Sequence, residues 1–496
     1  MVPASATRRI VLDVSIIPAQ KYQIVITLYK IIIYIVLDLT VNFIVLKLVK
    51  KLSKRLNMSS KKPIPYHRYH SSAADSSEVN DRRQFLRAGL GFAGTVVAAS
   101  ATTAIAASSN IKNLPPNVPE WSQFLGASVD KAPYGMPSPH ESDVVRRSVD
   151  WLTATRESSI NFTPLHSLDG IITPNGLCFE RHHAGAPEIP VEDHRLMVHG
   201  LVEQPLIFSL DDLIRFPAES RIYFLECAAN SGMEWRGAQL SGVQYTHGMV
   251  HCVQYTGIPL KALLDECGIK TAGKWLLAEG GDSAGMSRSI PIDKALEDCF
   301  IAYSMNGERL RTEQGYPLRL VVPGWEGNMW VKWLRRIEVG DKPWYHREET
   351  SKYTDLLANG KAREFTWVMD AKSVITSPSP ELPLRRGGRQ LIKGIAWSGR
   401  GAIKKVDVSV DGGINWITAR LDNPVLPKAL TRFYLDWQWD GEEVLLQSRA
   451  MDEFGYVQPQ ISDLHKARGV NSIYHNNSIQ TWLVNKNGDV ENVRLG

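Results

Sequence analysis

The sequence predicts two folded domains in series, a mixed α+β domain followed by an all-β sandwich. Between about residues 151 and 365, short strand-like apolar runs alternate with short helical ones. Beyond about residue 370 the runs alternate at every second position, hairpin signals separate them, and helical signal is scarce. Ahead of both domains lies a stretch of about a hundred residues whose apolar runs have the character of targeting segments and not of a core.

Bulk properties allow this and narrow the function. The chain has 496 residues, 44% hydrophobic and 22% charged, enough for two or three ordinary globular domains. Its net charge of +5 is too small to imply nucleic-acid binding, and much of the positive charge sits in the first 90 residues, so no nucleic-acid partner is expected. The five cysteines are Cys178, Cys227, Cys252, Cys267 and Cys299. No C-x-x-C occurs, which excludes zinc-ribbon spacing and covalent c-type haem attachment. An odd count in an exported protein leaves at least one thiol unpaired.

In chain order, residues 22 to 49 are apolar and long enough to span a bilayer, interrupted only by Lys30, Asp38 and Lys47. The chain begins afresh at Met58. Arg82 and Arg83 precede Phe85 and Leu86, a weakly apolar run follows from Ala88 to Ala107, and Ala104-Ile105-Ala106 offers small residues for cleavage. Residues 58–107 therefore read as a twin-arginine export signal to the periplasm. Residues 1–57 read as a hydrophobic N-terminal extension, either an over-called start or a membrane anchor. Residues 108–150, rich in Pro, Ser and Gly, form an irregular lead-in.

The α+β domain is expected over 151–368, with strands in RLMVHGLV, RIYFLECA, KWLLAEG and YPLRLVVPG. Its helices are SLDDLIRF, capped by Ser209, and PLKALLDECG, ended by Gly268. The sandwich is expected over 369–480. There LIKGIAWSG, IKKVDVSVDGG and RFYLDWQWDGEEVLLQSRAMD alternate, with turns at Asp411-Gly412-Gly413 and Asp440-Gly441.

Cys227 ends one of the apolar strand runs, and the small, flexible segment Ala228 to Gly232 follows it. A cysteine at a strand end facing a loop can reach a ligand in a cleft, and thiolates suit soft or high-valent metals. A lone buried cysteine serves equally well as a small hydrophobe.

FLECAAN resembles the cysteine motif of the sulfite oxidase family. CFERHHAGAP, from Cys178 to Pro187, resembles that family's pterin loop. EGGDSAGMSRSIPIDKAL, from Glu279 to Leu296, and the block from Ala302 to Val339 resemble its later motifs. WSGRGAIKKVDVSVDGGINW resembles the start of its immunoglobulin-like dimerisation domain. The blocks occur in the family's order over about residues 160 to 460. FLECAANSGMEWRGAQL, PGWEGN and KPWYHREETSKYTD resemble the branch that serves the Sox sulfur-oxidation system.

The resemblance implies an α+β molybdopterin-binding domain of the sulfite oxidase type, followed by an all-β immunoglobulin-like sandwich that joins two subunits. The implied cofactor is molybdenum–molybdopterin, which brings a dithiolene, a pterin ring and a phosphate and needs a further metal ligand, ring donors and cations from the protein. Cys227 matches the metal ligand. Phe179, Arg181, His182 and His183 match the pterin loop, and Asp282 matches an aspartate that accepts from ring N–H groups. Arg319 and Lys332 match cations for phosphate or pterin oxygens, while Trp330 and Val331 beside them offer backbone contacts. Arg181 is also the expected stabiliser of negative charge during catalysis, with Arg288 and Arg400 as further candidates.

This sequence departs from the family's pattern at four places. His182 replaces an asparagine, Gln314 a histidine and Met286 a tyrosine, and Gly232 stands where an arginine helps hold the sulfite dianion. The last departure favours a roomier pocket for a carrier-bound sulfur group, and Gly232→Arg is expected to improve activity on free sulfite. The implied reaction is oxygen-atom transfer to a sulfane or sulfite sulfur. The electrons pass to a c-type cytochrome subunit, in a homodimer within a hetero-oligomer. The substrate partner is a sulfur-carrier protein or a small sulfur oxyanion. The alternatives are a direct sulfite dehydrogenase and a non-enzymatic, membrane-anchored immunoglobulin-like binding protein.

Overall fold

The computed structural model describes residues 134–149, 152–357 and 359–495. The hydrophobic extension 1–57, the export signal 58–107 and the lead-in before residue 134 lie outside the described residues. Within them, no helix is long and apolar enough to cross a membrane.

The first domain is built on two five-stranded sheets. One runs in the order Glu308–Arg309, Phe300–Met305, Val250–Pro259, Glu219–Glu226, with Arg319–Val321 also paired to Phe300–Met305. The other runs Leu206–Phe208, Leu196–Gly200, Leu334–Gly340, Trp275–Gly280, Ser287–Pro291. In it, Leu334–Gly340 lies parallel to Leu196–Gly200 and antiparallel to Trp275–Gly280. Short helices join the strands. The helix Leu210–Leu213 starts in a capping box, with Ser209 Oγ accepting from the Asp212 N–H and the Asp212 carboxylate accepting from the Ser209 N–H. The helix Leu260–Cys267 stops at Gly268, whose positive φ of 69° lets the chain turn away.

Among the elements not anticipated, two matter most here. The ten-residue strand Val250–Pro259 is buried almost throughout and carries His251 and a bulge at Thr256/Gly257, so its sequence has no alternation to read. Gly257 is required at that bulge, because a Cβ there would lie 2.0 Å from the Ile301 carbonyl. The helix Ile461–Arg468 sits within the span expected to be all β.

The second domain has a four-stranded sheet, Lys372–Ser377, Gly388–Trp397, Thr431–Trp439, Arg420–Leu421. Its five-stranded sheet runs Ile417–Thr418, Ile403–Ser409, Val444–Asp452, Thr481–Val484, Val490–Val493. The last two strands lie beyond the expected end at residue 480. The two sheets share a core that includes Trp397, Val406, Phe433, Ala450 and Trp482. Phe224, Val250 and Cys252 of the first domain belong to the same core. One face of the strand Glu219–Glu226 therefore packs on the second domain, and the strand delivers Cys227 to the seam between the two.

Candidate active site

Exposure along Glu219–Glu226 falls from its first residues to its last, because the apolar run Ile222 to Leu225 enters the core. Cys227 follows, 9% exposed. Its N–H donates to Met249 O at 3.0 Å, and its carbonyl accepts from the Asn230 N–H at 2.9 Å. Burial pushes its thiol up, while the Ala229 N–H and the Arg181 guanidinium pull the other way. A bound metal cation would carry such a thiol to the thiolate. All five cysteines are buried and unpaired with one another.

One cleft gathers every residue expected from the sequence: Phe179, Arg181, His182, His183, Cys227, Asp282, Arg319, Trp330, Val331 and Lys332. Lys332 is its electrostatic centre. Its Nζ donates to His182 Nδ1 at 2.9 Å, Glu313 O at 3.1 Å and Arg181 O at 3.3 Å, and it lies 4.4 Å from the centre of the Trp333 ring. Burial, then the nearby Arg319 charge, pushes the Lys332 ammonium well down from its usual range. His182 is lowered to about 3 by burial, then by Lys332. The neutral ring accepts from Lys332 and donates from Nε2 to Glu180 Oε2 at 2.9 Å, stacked on Trp333. Arg319 Nη1 donates to Gln314 O at 3.1 Å and Gln314 Oε1 at 3.0 Å, while its Nε is buried without a partner. Asp282 takes one bond at Oδ1, from the Met286 N–H at 3.3 Å.

These residues fit an anionic cofactor. Arg181, Arg319 and Lys332 meet in one buried cleft, and their hydrogen-bond partners are carbonyl, amide and imidazole groups, not carboxylates. Gathered cations in a low-dielectric site repel unless an anion completes it. A phosphate answers that need, and Cys227 offers a soft ligand on the same wall.

A second, larger cavity of about 650 Å³ meets the cleft, and Arg181, His183, Cys227 and Tyr353 line both. Its other walls are largely apolar, with Ile160, Phe162, Met249 and Ile473 among them. Tyr353 Oη and His183 Nε2 are 3.2 Å apart. His183 is lowered to about 4 by burial and then by Arg181.

Several expectations need correction. Arg288, offered as a charge stabiliser, is 1% exposed and paired with Glu326 at 3.2 Å and Glu349 at 3.6 Å, so its charge is already spent. Arg400 pairs with Asp370 at 2.9 Å and lines neither cavity. The Trp330 and Val331 N–H groups are bonded to Gly327 O and Met329 O, so these residues form the wall without offering backbone donors. Gly232 does line the larger cavity, but a Cβ there would lie 2.5 Å from the Ile473 carbonyl. An arginine at that position requires the backbone to move. The sequence reading also missed His251, whose buried Nδ1 has no partner and whose ring packs 5.0 Å from Phe179, and Tyr353. A histidine inside the apolar run VHCV was the available signal. Tyr353 lies in the KPWYHREETSKYTD block, whose resemblance marked the branch but assigned it no role. It brings a phenol to the cleft that Met286, in the tyrosine's place, cannot.

Comparison with known proteins agrees with this geometry. Residues 183–348 match the oxidoreductase molybdopterin binding domain, and residues 363–482 match the Mo-co oxidoreductase dimerisation domain. The structure is similar to the sulfane dehydrogenase SoxCD from Paracoccus pantotrophus, with 58% identity, a TM-score of 0.75, and coverage of 78% of this chain and 98% of that one. Mitochondrial sulfite oxidase from Mus musculus is 29% identical over 358 residues, covering 67% of this chain and 65% of that protein. NADH nitrate reductase from Solanum lycopersicum is 31% identical over 334 residues, covering 59% of this chain and 36% of that protein. The chain thus spans somewhat under two thirds of the sulfite oxidase and little more than a third of the nitrate reductase. Membership of an enzyme family sets aside the non-enzymatic binding protein. The chain belongs to the sulfite oxidase family of molybdenum–molybdopterin oxidoreductases.

Proposed function

We propose that this protein is a molybdenum-dependent sulfur dehydrogenase that oxidises a sulfane or sulfite sulfur and passes the electrons to a c-type cytochrome subunit. The observation that carries the reading is the shared wall of the two cavities. Arg181, His183, Cys227 and Tyr353 face both the cationic cleft and the roomier apolar cavity, so a substrate entering the second meets the metal ligand of the first. The likeness to a sulfane dehydrogenase supports a sulfane sulfur, and the roomier cavity fits one borne by a sulfur-carrier protein.

When bound, the molybdenum cofactor supplies the two-electron couple for oxygen-atom transfer. The chain's own residues do the rest. Cys227 would hold the metal, its peptide fixed by Met249 and Asn230. Arg319 and Lys332 would hold the phosphate and pterin oxygens, Asp282 would accept from ring N–H groups, and Phe179, His182 and His183 would shape the pterin wall. Arg181 faces the substrate and stabilises negative charge on the sulfur oxyanion. The Tyr353 hydroxyl and the neutral His183 ring are hydrogen-bonded at 3.2 Å beside the reacting region.

The twin arginines Arg82 and Arg83 support export to the periplasm, the compartment of the proposed cytochrome partner. The two-sheet second domain reads as immunoglobulin-like and as the homodimer contact within a hetero-oligomer. Steady-state kinetics with cytochrome c as acceptor tests the function. The proposal predicts higher kcat/KM on a carrier-bound sulfane than on free sulfite. A clear preference for free sulfite makes the chain a direct sulfite dehydrogenase instead.

A further inference from the structure

Directly behind Cys227 lies a charged pair that the site description does not use. Glu226, the residue before the cysteine, is fully buried, and Lys372 of the second domain is 1% exposed. Lys372 Nζ donates to Glu226 Oε1 at 3.0 Å and to the Asn230 carbonyl at 3.3 Å. Glu226 Oε1 also accepts from Asn230 Nδ2 at 2.9 Å, and Oε2 accepts from Trp397 Nε1 at 2.7 Å. Every contact of the carboxylate thus runs either to the second domain or to the turn that closes on the Cys227 carbonyl.

A buried ion pair is a poor way to gain stability, since desolvation offsets most of the attraction and an apolar pair of similar volume does as well. Its usual worth is to fix one geometry, because it fails if either partner shifts. Here the geometry fixed is that of the cysteine loop. The second domain grips that loop from its far end too: the His475 N–H donates to Ala228 O at 2.7 Å, and Asn476 Nδ2 donates to Ser231 O at 3.0 Å. Between the two grips, Ser231 is held at φ 64°, a left-handed conformation that a non-glycine residue keeps only when its surroundings enforce it.

We propose that Glu226 and Lys372 are positioning residues for the metal thiolate, and that the second domain serves the active site through them as well as serving assembly. The inference rests on Cys227 being the metal ligand. Moving the loop would change the sulfur–metal contact, and with it the midpoint potential of the metal and the turnover rate, more than it would change substrate affinity.

The test uses the full-length, cofactor-loaded enzyme carrying Glu226→Gln, Lys372→Met, Lys372→Arg and the double change Glu226→Gln with Lys372→Met. The readouts are molybdenum content, midpoint potential of the molybdenum couple, kcat and KM. The double variant removes both charges together and so avoids leaving one buried alone. We expect it to load molybdenum, to show a shifted midpoint potential, and to lose about tenfold or more in kcat with KM within about twofold of wild type. Lys372→Arg, which keeps the charge and its donors, should recover most of the lost kcat. A double variant that loads metal with wild-type potential and kcat would overturn the proposal, because the pair would then be structural only. Cys227→Ser separates this failure from failure of the ligand assignment: if that variant retains turnover, the premise falls whatever the pair does.

Discussion

At the scale of the residue, the account turns on what each side chain in the cleft can do once water is gone. Cys227→Ser should keep the fold, since the hydroxyl nearly matches the thiol in size, and abolish turnover. Substituting Cys252, Cys267 or Cys299 should matter far less, because these are buried core thiols that do not line the cleft. Arg319→Met should lower molybdenum content at unchanged secondary structure, as elemental analysis beside circular dichroism would show. Normal metal content would remove Arg319 from cofactor binding. Gly232→Ala should destabilise by about 1–3 kcal/mol in denaturant titration, because its Cβ has to displace the Ile473 backbone. These residues were legible to different degrees. Cys227, Arg181 and Lys332 could be read because each sits in a motif of fixed spacing. The neutrality of His182 could not, since it follows first from burial in the folded cleft and then from a lysine 150 positions away.

At the scale of the element, local rules were legible and long-range ones were not. Ser209 with Asp212 announced a helix start, and Gly268 announced a helix end, because caps are satisfied by residues next in sequence. The strand Val250–Pro259 escaped because burial on both faces erases alternation. The segment Ser472 to Asn477 escaped for another reason. It has no regular structure, and its contacts are long-range: to the cysteine loop more than two hundred residues earlier, and also to Glu326, Asp355 and Ala371. Asn476→Ala tests its contact with that loop. It removes one of the two donors to the Ser231 carbonyl, leaving the Glu234 N–H at 3.0 Å, and should cost about 0.5–1.5 kcal/mol of stability, with a further loss of kcat. Lost stability at unchanged kcat would make the segment a brace of the fold alone.

At the scale of the whole molecule, two domains share one core at their seam, and the site lies there, so the fold and the chemistry respond together to conditions. His182 and His183 are held neutral, at about 3 and about 4, against an ordinary value near 6.5. His247 and His251 are lowered as well, chiefly by burial. Histidines depressed in the folded state bind fewer protons than when unfolded. The stability they permit is therefore complete above about pH 6.5 and is lost as the pH falls toward the folded values. Thermal denaturation from about pH 7.5 down to about pH 5 should show a falling Tm. A flat profile would mean that these rings already carry protons in the native protein. The domain order was legible because periodicity changes near residue 370, whereas the shared core was not, since Phe224 and Val250 look like any first-domain core residue.

X-ray absorption at the molybdenum edge tests the central claim most directly, comparing the purified full chain with its Cys227→Ser variant. The account predicts molybdenum in both and one sulfur neighbour fewer in the variant. An identical sulfur shell in the two proteins would contradict it, because Cys227 would then not be the ligand on which the site is built.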